Sequence, residues 1–314
     1  MTTVNSQDLL IASSHKLPLT VVIATLGGPC LTETLERLNT WEVLPDEILV
    51  CIPEEENLKR SISFQYQNTR VIETPCRGQV QQRAFGLKLA KQRLVLQMDD
   101  DILLDNDAFK RLLEEMSRLG PGNAVSPLYC HKQTNKHITR HPSGFKGGLF
   151  SLYVFLLYGA PWGFRRMGKL TRSGVGFWVD RDLISDKPYE TEWLPGGCVL
   201  CHREDLVLED YYPLKGKAFA EDLIHSILWR RNGVRLWAIP DALCATTVDI
   251  ESLSWCQTRS RFLAHAHLVR LMDGAMLRLY IWFLFTCVAR VARIVIASAL
   301  RIGKNWKTFL THGG

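Results

Sequence analysis

The residues in this chain most suited to chemistry are three consecutive acids, Asp99-Asp100-Asp101, at the end of the apolar run Leu94-Val-Leu-Gln-Met98. A continuous apolar run is the mark of a buried parallel strand, and ligands of open α/β sheets gather at the carboxyl ends of such strands. Three adjacent carboxylates repel one another, so a cation or a neutralising partner is expected beside them. On an extended chain Asp99 and Asp101 point the same way and Asp100 the other. That pair suits one Mg²⁺ or Mn²⁺, which takes one or two protein carboxylates and completes its shell with phosphate oxygens and water. A solvated acidic turn capping the next helix is the alternative.

Two other stretches carry functional residue types. Glu221-Asp222 opens a helical segment that closes with Arg230-Arg231 and Gly233. Acids first and arginines last also suit the helix dipole, so a purely structural account exists. Trp193-Leu-Pro-Gly-Gly197 precedes Cys198-Val-Leu-Cys-His202. The C-x-x-C-H spacing is read neither as haem attachment nor as zinc, since the first needs an exported chain and the second another ligand pair at matching spacing. At Gly196 and Gly197 the missing Cβ atoms would let a ligand approach the backbone.

The elements that must position these residues alternate in type. Leu19 to Thr25 is a β-branched strand broken by Gly27-Gly28-Pro29, and Leu31, Leu35 and Leu38 then recur at helical spacing. Glu47–Ile52 and Arg70–Glu73 read as further strands, Gly78–Lys91 as a helix, and Phe109–Leu119 as an amphipathic helix closed by Gly120-Pro-Gly122. Strand and helix in alternation predict an α/β fold with a parallel, doubly wound sheet. Neither a dinucleotide fingerprint nor a P-loop follows the first strand, so any nucleotide phosphates are expected on a metal rather than in a glycine cradle. Leu149–Ala160 carries no charge over twelve residues, followed by Arg165, Arg166, Lys169 and Arg172. Twelve residues cannot span a bilayer core of about 30 Å. The stretch reads as a buried helix, or else as an interfacial or acceptor-facing segment.

At 314 residues, 46% hydrophobic and 22% charged, the chain has an ordinary globular composition and length enough for one large α/β domain with an appendage. Its nine cysteines are an odd number, scattered mostly through apolar stretches, which points to reduced thiols and a cytoplasmic setting. Met1–His15 lacks the basic-then-apolar pattern of a secretory signal. The net charge of +6 is localised: from Arg259 onward nine Lys and Arg face the single acid Asp273, leaving −2 for the other 258 residues. A basic tail rich in Leu, Ile, Trp and Phe suits an anionic membrane surface rather than nucleic acid.

The order of these landmarks resembles that of the family 2 inverting glycosyltransferases of GT-A fold. The resemblance rests on Val22-Ile-Ala-Thr25, Glu47-Ile-Leu-Val50, Gly78 with Arg83 and Gly86, the Asp triplet in place of a D-x-D, Trp193–Gly197, Glu221-Asp222, and Arg231-Asn-Gly-Val-Arg235 leading into Ile239-Pro-Asp-Ala242. It covers about residues 18 to 250 and implies a Rossmann-like, mostly parallel sheet flanked by helices. Within it, residues 18–105 would form the nucleotide-binding half and 106–250 the acceptor half, with an extension at 1–17 and a helical, amphipathic tail at 251–314.

The resemblance also implies roles. Asp101 with Asp99 would hold the divalent metal, Mg²⁺ or Mn²⁺, on the diphosphate of a nucleotide-sugar donor, and Asp100 would lie near ribose or sugar. Asp222 would be the general base that takes the proton of the acceptor hydroxyl, with Glu221, Trp193, Gly196 and Gly197 shaping the acceptor and sugar pocket. Thr25 would lie near the nucleotide base and Arg83 on the donor side. The family's acidic pair after the second strand falls at about Ile52-Pro53, leaving Glu54 as the substitute base contact. Gln257-Thr-Arg-Ser-Arg261-Phe262 loosely follows the Q-x-x-R-W of processive relatives, one residue too long, and offers Arg259 and Arg261 as diphosphate contacts.

In the tail, a span from Leu279 to Ser298 would bury Arg290 and Arg293 at about 2.5–3.5 kcal/mol each. On a helical wheel Arg290, Arg293, Arg301 and Lys304 fall within about 80° at 100° per residue, the pattern of a helix lying in the membrane interface. A tertiary or oligomer contact is the alternative. The expected function is metal-dependent transfer of a sugar to a glycan or lipid-linked acceptor in cell-surface glycan or polysaccharide synthesis, by a protein peripheral on the inner face of the membrane. The rivals are a sugar-phosphate nucleotidyltransferase, which would want a basic residue in the Gly27-Gly28-Pro29-Cys30 turn, and a non-catalytic membrane-associated binding module.

Overall fold

The β-branched run at the start of the computed structural model forms β1 (Lys16–Ala24), buried along nearly its whole length. The structure describes residues 16–54, 66–246 and 254–311; the N-terminal extension up to residue 15 and the boundary expected at 250 lie outside them. Helix α1 (Cys30–Leu38) packs Leu31, Leu35 and Leu38 inward at the expected spacing and returns the chain to β2 (Leu44–Pro53). After β3 (Thr69–Thr74), α2 (Gln79–Leu89) crosses the sheet and feeds β4 (Leu94–Met98), which is wholly buried.

Contact between α2 and the sheet depends on Gly86. A Cβ there would sit 2.4 Å from the Cys51 sulfur and 2.7 Å from Val22 Cγ1, so no larger residue fits without moving the helix. Strands β1, β2, β3 and β4 pair in parallel in the order β3-β2-β1-β4.

Beyond β4 come β5 (Ile102–Leu104), α3 (Asn106–Leu119) and β6 (Asn123–His131). Next are α4 (Gly144–Tyr158), the short hairpin of β7 (Lys169–Leu170) and β8 (Gly176–Phe177), β9 (Tyr189–Thr191) and β10 (Cys198–His202). Helix α5 (Glu221–Arg231) and β11 (Arg235–Thr246) complete the body. One nine-stranded sheet runs β3-β2-β1-β4-β10-β6-β11-β5, with β9 also on β11. Most of its paired length is parallel, as expected. Strand β10, however, lies antiparallel between β4 and β6.

That one reversal places the start of β10 beside the end of β4, with Cys198 opposite Met98. The carboxyl ends of β1, β4 and β6 and the amino end of β10 therefore share one edge of the sheet. One core packs α1 and α3 against one face of the sheet, and a second packs α5, with Trp178 and Trp193, against the other.

After the body, α6 (Trp255–Leu271), capped by Ser254 and Gln257, runs into the long α7 (Met276–Thr311). No helix among the described residues is long and apolar enough to cross a membrane. Helix α4 overturns the reading of Leu149–Ala160 as a buried helix. Only the small-residue stripe Gly147, Ser151 and Val154 is buried, while Phe145 is 83% and Leu156 62% exposed.

Candidate active site

The acid triplet sits where β4 ends, and Asp99 N donates to Gly197 O across to β10 at 2.9 Å. The turn sends the three carboxylates to different places. Asp100 accepts a hydrogen bond from Thr25 Oγ1 at the end of β1, and Thr34 Oγ1 from α1 holds the Asp100 carbonyl at 2.8 Å. Asp99 Oδ1 accepts from Arg83 Nη2 at 2.9 Å and from Gln79 Nε2 at 3.1 Å, both on α2. Asp101 faces the cleft beside Thr246.

Glu221 and Asp222 arrive from the far side on the first turn of α5. Ala220 just before them has φ 54°, a left-handed turn that an L-residue rarely adopts and that aims both acids back toward the sheet edge. The helix is tied down by Leu194 N donating to Ser226 Oγ at 3.0 Å and by Ser226 Oγ donating to Asp222 O at 2.7 Å. Glu221 Oε2 accepts from Arg83 Nη1 at 2.8 Å and from Tyr211 at 3.0 Å.

Arg83 thus joins the two acidic elements, and it is 2% exposed. Burial alone would lower its pKa, but Glu221 and Asp99 outweigh that and raise it, so the guanidinium stays charged. The resemblance put Arg83 on the donor. Its planar fork instead faces Asp99 on one side and Glu221 on the other, and it lines neither cavity of the cleft.

Two adjoining cavities make up the cleft. One, of about 380 Å³, is lined by Asp99, Asp101, Gly196, Gly197, Glu221 and Asp222. The other, of about 680 Å³, is lined by Thr25, Gly28, Arg77, Asp99, Asp100, Asp101 and Lys217. Gln79, Asp99, Asp101 and Ala218 border both, so the cavities meet at the triplet.

The carboxyls facing this space hold their protons unusually well. Burial, then Asp99 and Asp100, push Asp101 up to about 6. Burial, then the neighbouring Glu221, push Asp222 up to about 7. Asp100 is raised by burial, against the hydrogen bond from Thr25. Carboxyls displaced in this way in a cleft mark functional sites.

Four expected site residues are elsewhere or act differently. Trp193 is buried against Trp178, with rings 5.2 Å apart, and its indole donates to Phe177 O; a large aromatic following β9 fills the core beneath the cleft, where Pro195 takes the wall position. Glu54 is exposed past the end of β2 and borders neither cavity. Arg261 lies over the Trp282 ring at 5.3 Å, drawn to α7 by the aromatic face, and Arg259 points to solvent on α6; neither lines the cleft.

Gly196 and Gly197 do border the cleft, although the space beside them is partly taken by the protein itself. A Cβ on Gly196 would be 2.7 Å from Glu221 Oε1, and one on Gly197 3.3 Å from Asp99 Oδ2. The sequence analysis did not single out Gln79, Tyr129 and Thr246, which line the cleft, or Tyr211, which donates to Glu221. Gln79 lies one helical turn from Arg83 and could have been found that way; the other three carry no local signal.

Residues 20–186, more than half of the chain, match the model of glycosyl transferase family 2. No curated protein matches the chain in sequence. Among solved structures, GalNAc-T7 with UDP, GalNAc and Mn²⁺ aligns at a TM-score of 0.57 and 17% identity, over 80% of this chain and 47% of that one. The chain therefore spans about half the length of that relative. TarS residues 1–349 of S. aureus with UDP-GlcNAc aligns at 0.53 and 14% identity, over 82% of this chain and 67% of that one. At such identities the likeness is one of fold. With the family model spanning more than half of the sequence and the fold in agreement, the chain belongs to glycosyl transferase family 2 and has the GT-A fold.

Proposed function

We propose that the protein transfers a sugar from a nucleoside-diphosphate donor to an acceptor hydroxyl in a single inverting displacement, with Asp222 as base. The observation that carries this reading is the shared cavity: Asp99 and Asp101 from the end of β4 and Asp222 from α5 line the same space of about 380 Å³. The donor's nucleotide end fits the larger cavity, where Thr25 and Asp100 meet the sugar-phosphate side and Arg77 and Lys217 add positive charge. The acceptor enters beside Gly196, Gly197 and Glu221.

In the reaction the acceptor oxygen bonds to the anomeric carbon as the bond from that carbon to the diphosphate breaks, and the hydroxyl proton passes to Asp222. A base must reach that hydroxyl and be ionised, and a carboxyl raised to about 7 is matched to that task near neutrality. Glu221, held by Arg83 and Tyr211, keeps α5 and its base in register with the triplet.

The donor set suits a hard divalent cation. Asp99 Oδ1 is taken by Arg83 and Gln79, which leaves its Oδ2, while the Asp101 carboxyl is burdened by two neighbouring acids. No cluster of three or more His, Cys, Asp or Glu suited to a metal exists among the described residues, so an ion on Asp99 and Asp101 would need its remaining ligands from substrate phosphate and water. Bound by Asp101 and Asp99, Mg²⁺ or Mn²⁺ would supply Lewis-acid stabilisation of the leaving diphosphate. GalNAc-T7, similar in fold, was crystallised with Mn²⁺ and UDP.

By association with the basic, apolar tail, we propose a glycan or lipid-linked acceptor in cell-surface glycan synthesis and a peripheral place on the inner membrane face. The test is metal-dependent release of nucleoside diphosphate from a panel of sugar nucleotides. Asp101→Ala and Asp222→Asn are each expected to lose at least about a hundredfold in rate. Full activity in both would overturn the mechanism.

A further inference from the structure

Helix α4 presents a wide apolar surface to solvent. Phe145, Leu149, Leu152, Phe155 and Leu156 are all exposed and spread over about 120° of the helix at 100° per residue, opposite the buried Gly147, Ser151 and Val154. Arg166 fastens that narrow stripe to the body through Ser151 Oγ at 2.7 Å and Gly163 O at 2.8 Å. The connection after the helix adds exposed Trp162 and Phe164. A helix this apolar is normally covered, and patches of this kind mark interaction sites.

The surface continues onto α7. Arg278 donates to the Phe155 carbonyl at the end of α4, and the Tyr153 and Phe285 rings lie 6.5 Å apart. Along α7, Leu277, Tyr280, Leu284, Val288, Val291 and Val295 are exposed at spacings of three or four, one stripe about 80° wide. Arg290 and Arg293 lie well outside that stripe.

Charge identifies the partner. From Lys132 to Val179 the sequence has eight Lys and Arg and no Asp or Glu; from Arg259 to the end it has nine against one. These two segments thus carry +8 each, and the rest of the chain −10. The first holds α4 and the second α7, so the cations are concentrated in the two segments that build the apolar face. Arg140, Lys146, Arg165 and Arg172 of the first segment are all exposed. An apolar face with aromatic side chains among cations fits the boundary between acyl chains and anionic headgroups.

We infer that α4 and α7 form one membrane-docking face, on which the transferase body itself inserts α4 into an anionic lipid surface. This extends the proposed membrane association from the tail to the body and rests on that reading for the tail alone. The test is co-sedimentation of the full chain with vesicles of phosphatidylcholine plus phosphatidylglycerol, and with phosphatidylcholine alone, alongside sedimentation velocity without lipid. The wild type is expected on the anionic vesicles only. Leu149→Asp/Leu156→Asp in α4 and Leu284→Asp/Val288→Asp in α7 are each expected to weaken partitioning by roughly tenfold or more per position, the loss of one buried leucine-sized side chain.

If only the α7 variant is weakened, the inference for α4 is overturned and the tail reading stands. If the wild type does not bind, both fall. If it binds phosphatidylcholine equally well, the charge argument falls and the inference with it. A chain that self-associates without lipid, with the α4 variant dissolving the oligomer, would assign the face to a second copy and overturn the inference. Amide exchange of the wild type provides a readout independent of the variants: residues 144–158 are expected to slow on anionic vesicles, and no slowing there would refute their insertion.

Discussion

Replacing Asp222 with Asn should stop catalysis and stabilise the fold, two effects of opposite sign from one atom pair. The carboxyl lies at the start of α5, half-buried, next to Glu221, and accepts the Leu223 amide at 2.9 Å. Burial and then Glu221 disfavour its charge. A carboxyl that releases its proton near 7 in the folded chain and near 3.8 in the unfolded one costs the native state up to about 4 kcal/mol above pH 7. The opening to solvent and the sharing of charge with Glu221 reduce this to about 1–3 kcal/mol in practice.

The sign follows from proton binding: between pH 4 and 7 the folded chain holds the extra proton, so wild-type stability falls as pH rises through that window. Asn keeps an acceptor for the Leu223 amide and has no charge to bury. Urea unfolding of wild type and Asp222→Asn should coincide at about pH 4, separate progressively, and differ by the full amount above about pH 7 in favour of the variant. A pH-independent difference, or a less stable variant at pH 8, would refute the account of Asp222 as a strained, functional carboxyl.

Three further outcomes follow. The rate of nucleoside diphosphate release in the wild type should rise with pH and level off above about 7 as Asp222 ionises, measured at saturating donor and metal. Arg83→Met should cost about 3–5 kcal/mol in denaturant unfolding, because it strands Asp99 and Glu221 without their shared cation. Gly86→Ala should cost about 1–3 kcal/mol in thermal or urea unfolding, since its Cβ meets Cys51 Sγ at 2.4 Å and Val22 Cγ1 at 2.7 Å; an unchanged midpoint would show that α2 is not held by that contact.

Much of the fold was legible because its signals are local. The buried strands of the parallel half are continuous apolar runs ended by Gly, Pro or Asp, and α1 and α3 show the helical period, so their positions follow from residue order alone. The acid triplet and Glu221-Asp222 were legible for the same reason: charge abutting an apolar run is visible in one dimension. The partners of Arg83 were not legible, since an arginine on a helix gives no sign of which carboxylates it will meet 16 and 138 residues away. Trp193 was misread because an aromatic beside Gly-Gly is equally suited to a pocket wall and to the core below it.

What the sequence by itself determined are the pieces: where strands end, where carboxylates collect, and that the tail is basic and apolar. The tertiary structure decided which pieces meet. The antiparallel insertion of β10 between β4 and β6, the left-handed turn at Ala220 and the buried Arg83 bring acids more than a hundred residues apart into one cleft. It also decided that α4 lies largely outside the core, with only Gly147, Ser151 and Val154 buried. Apolar period says that a helix must be covered, and only packing says by what. Pairing across a sheet and convergence at its edge depend on contacts between residues remote in sequence, which no local pattern encodes.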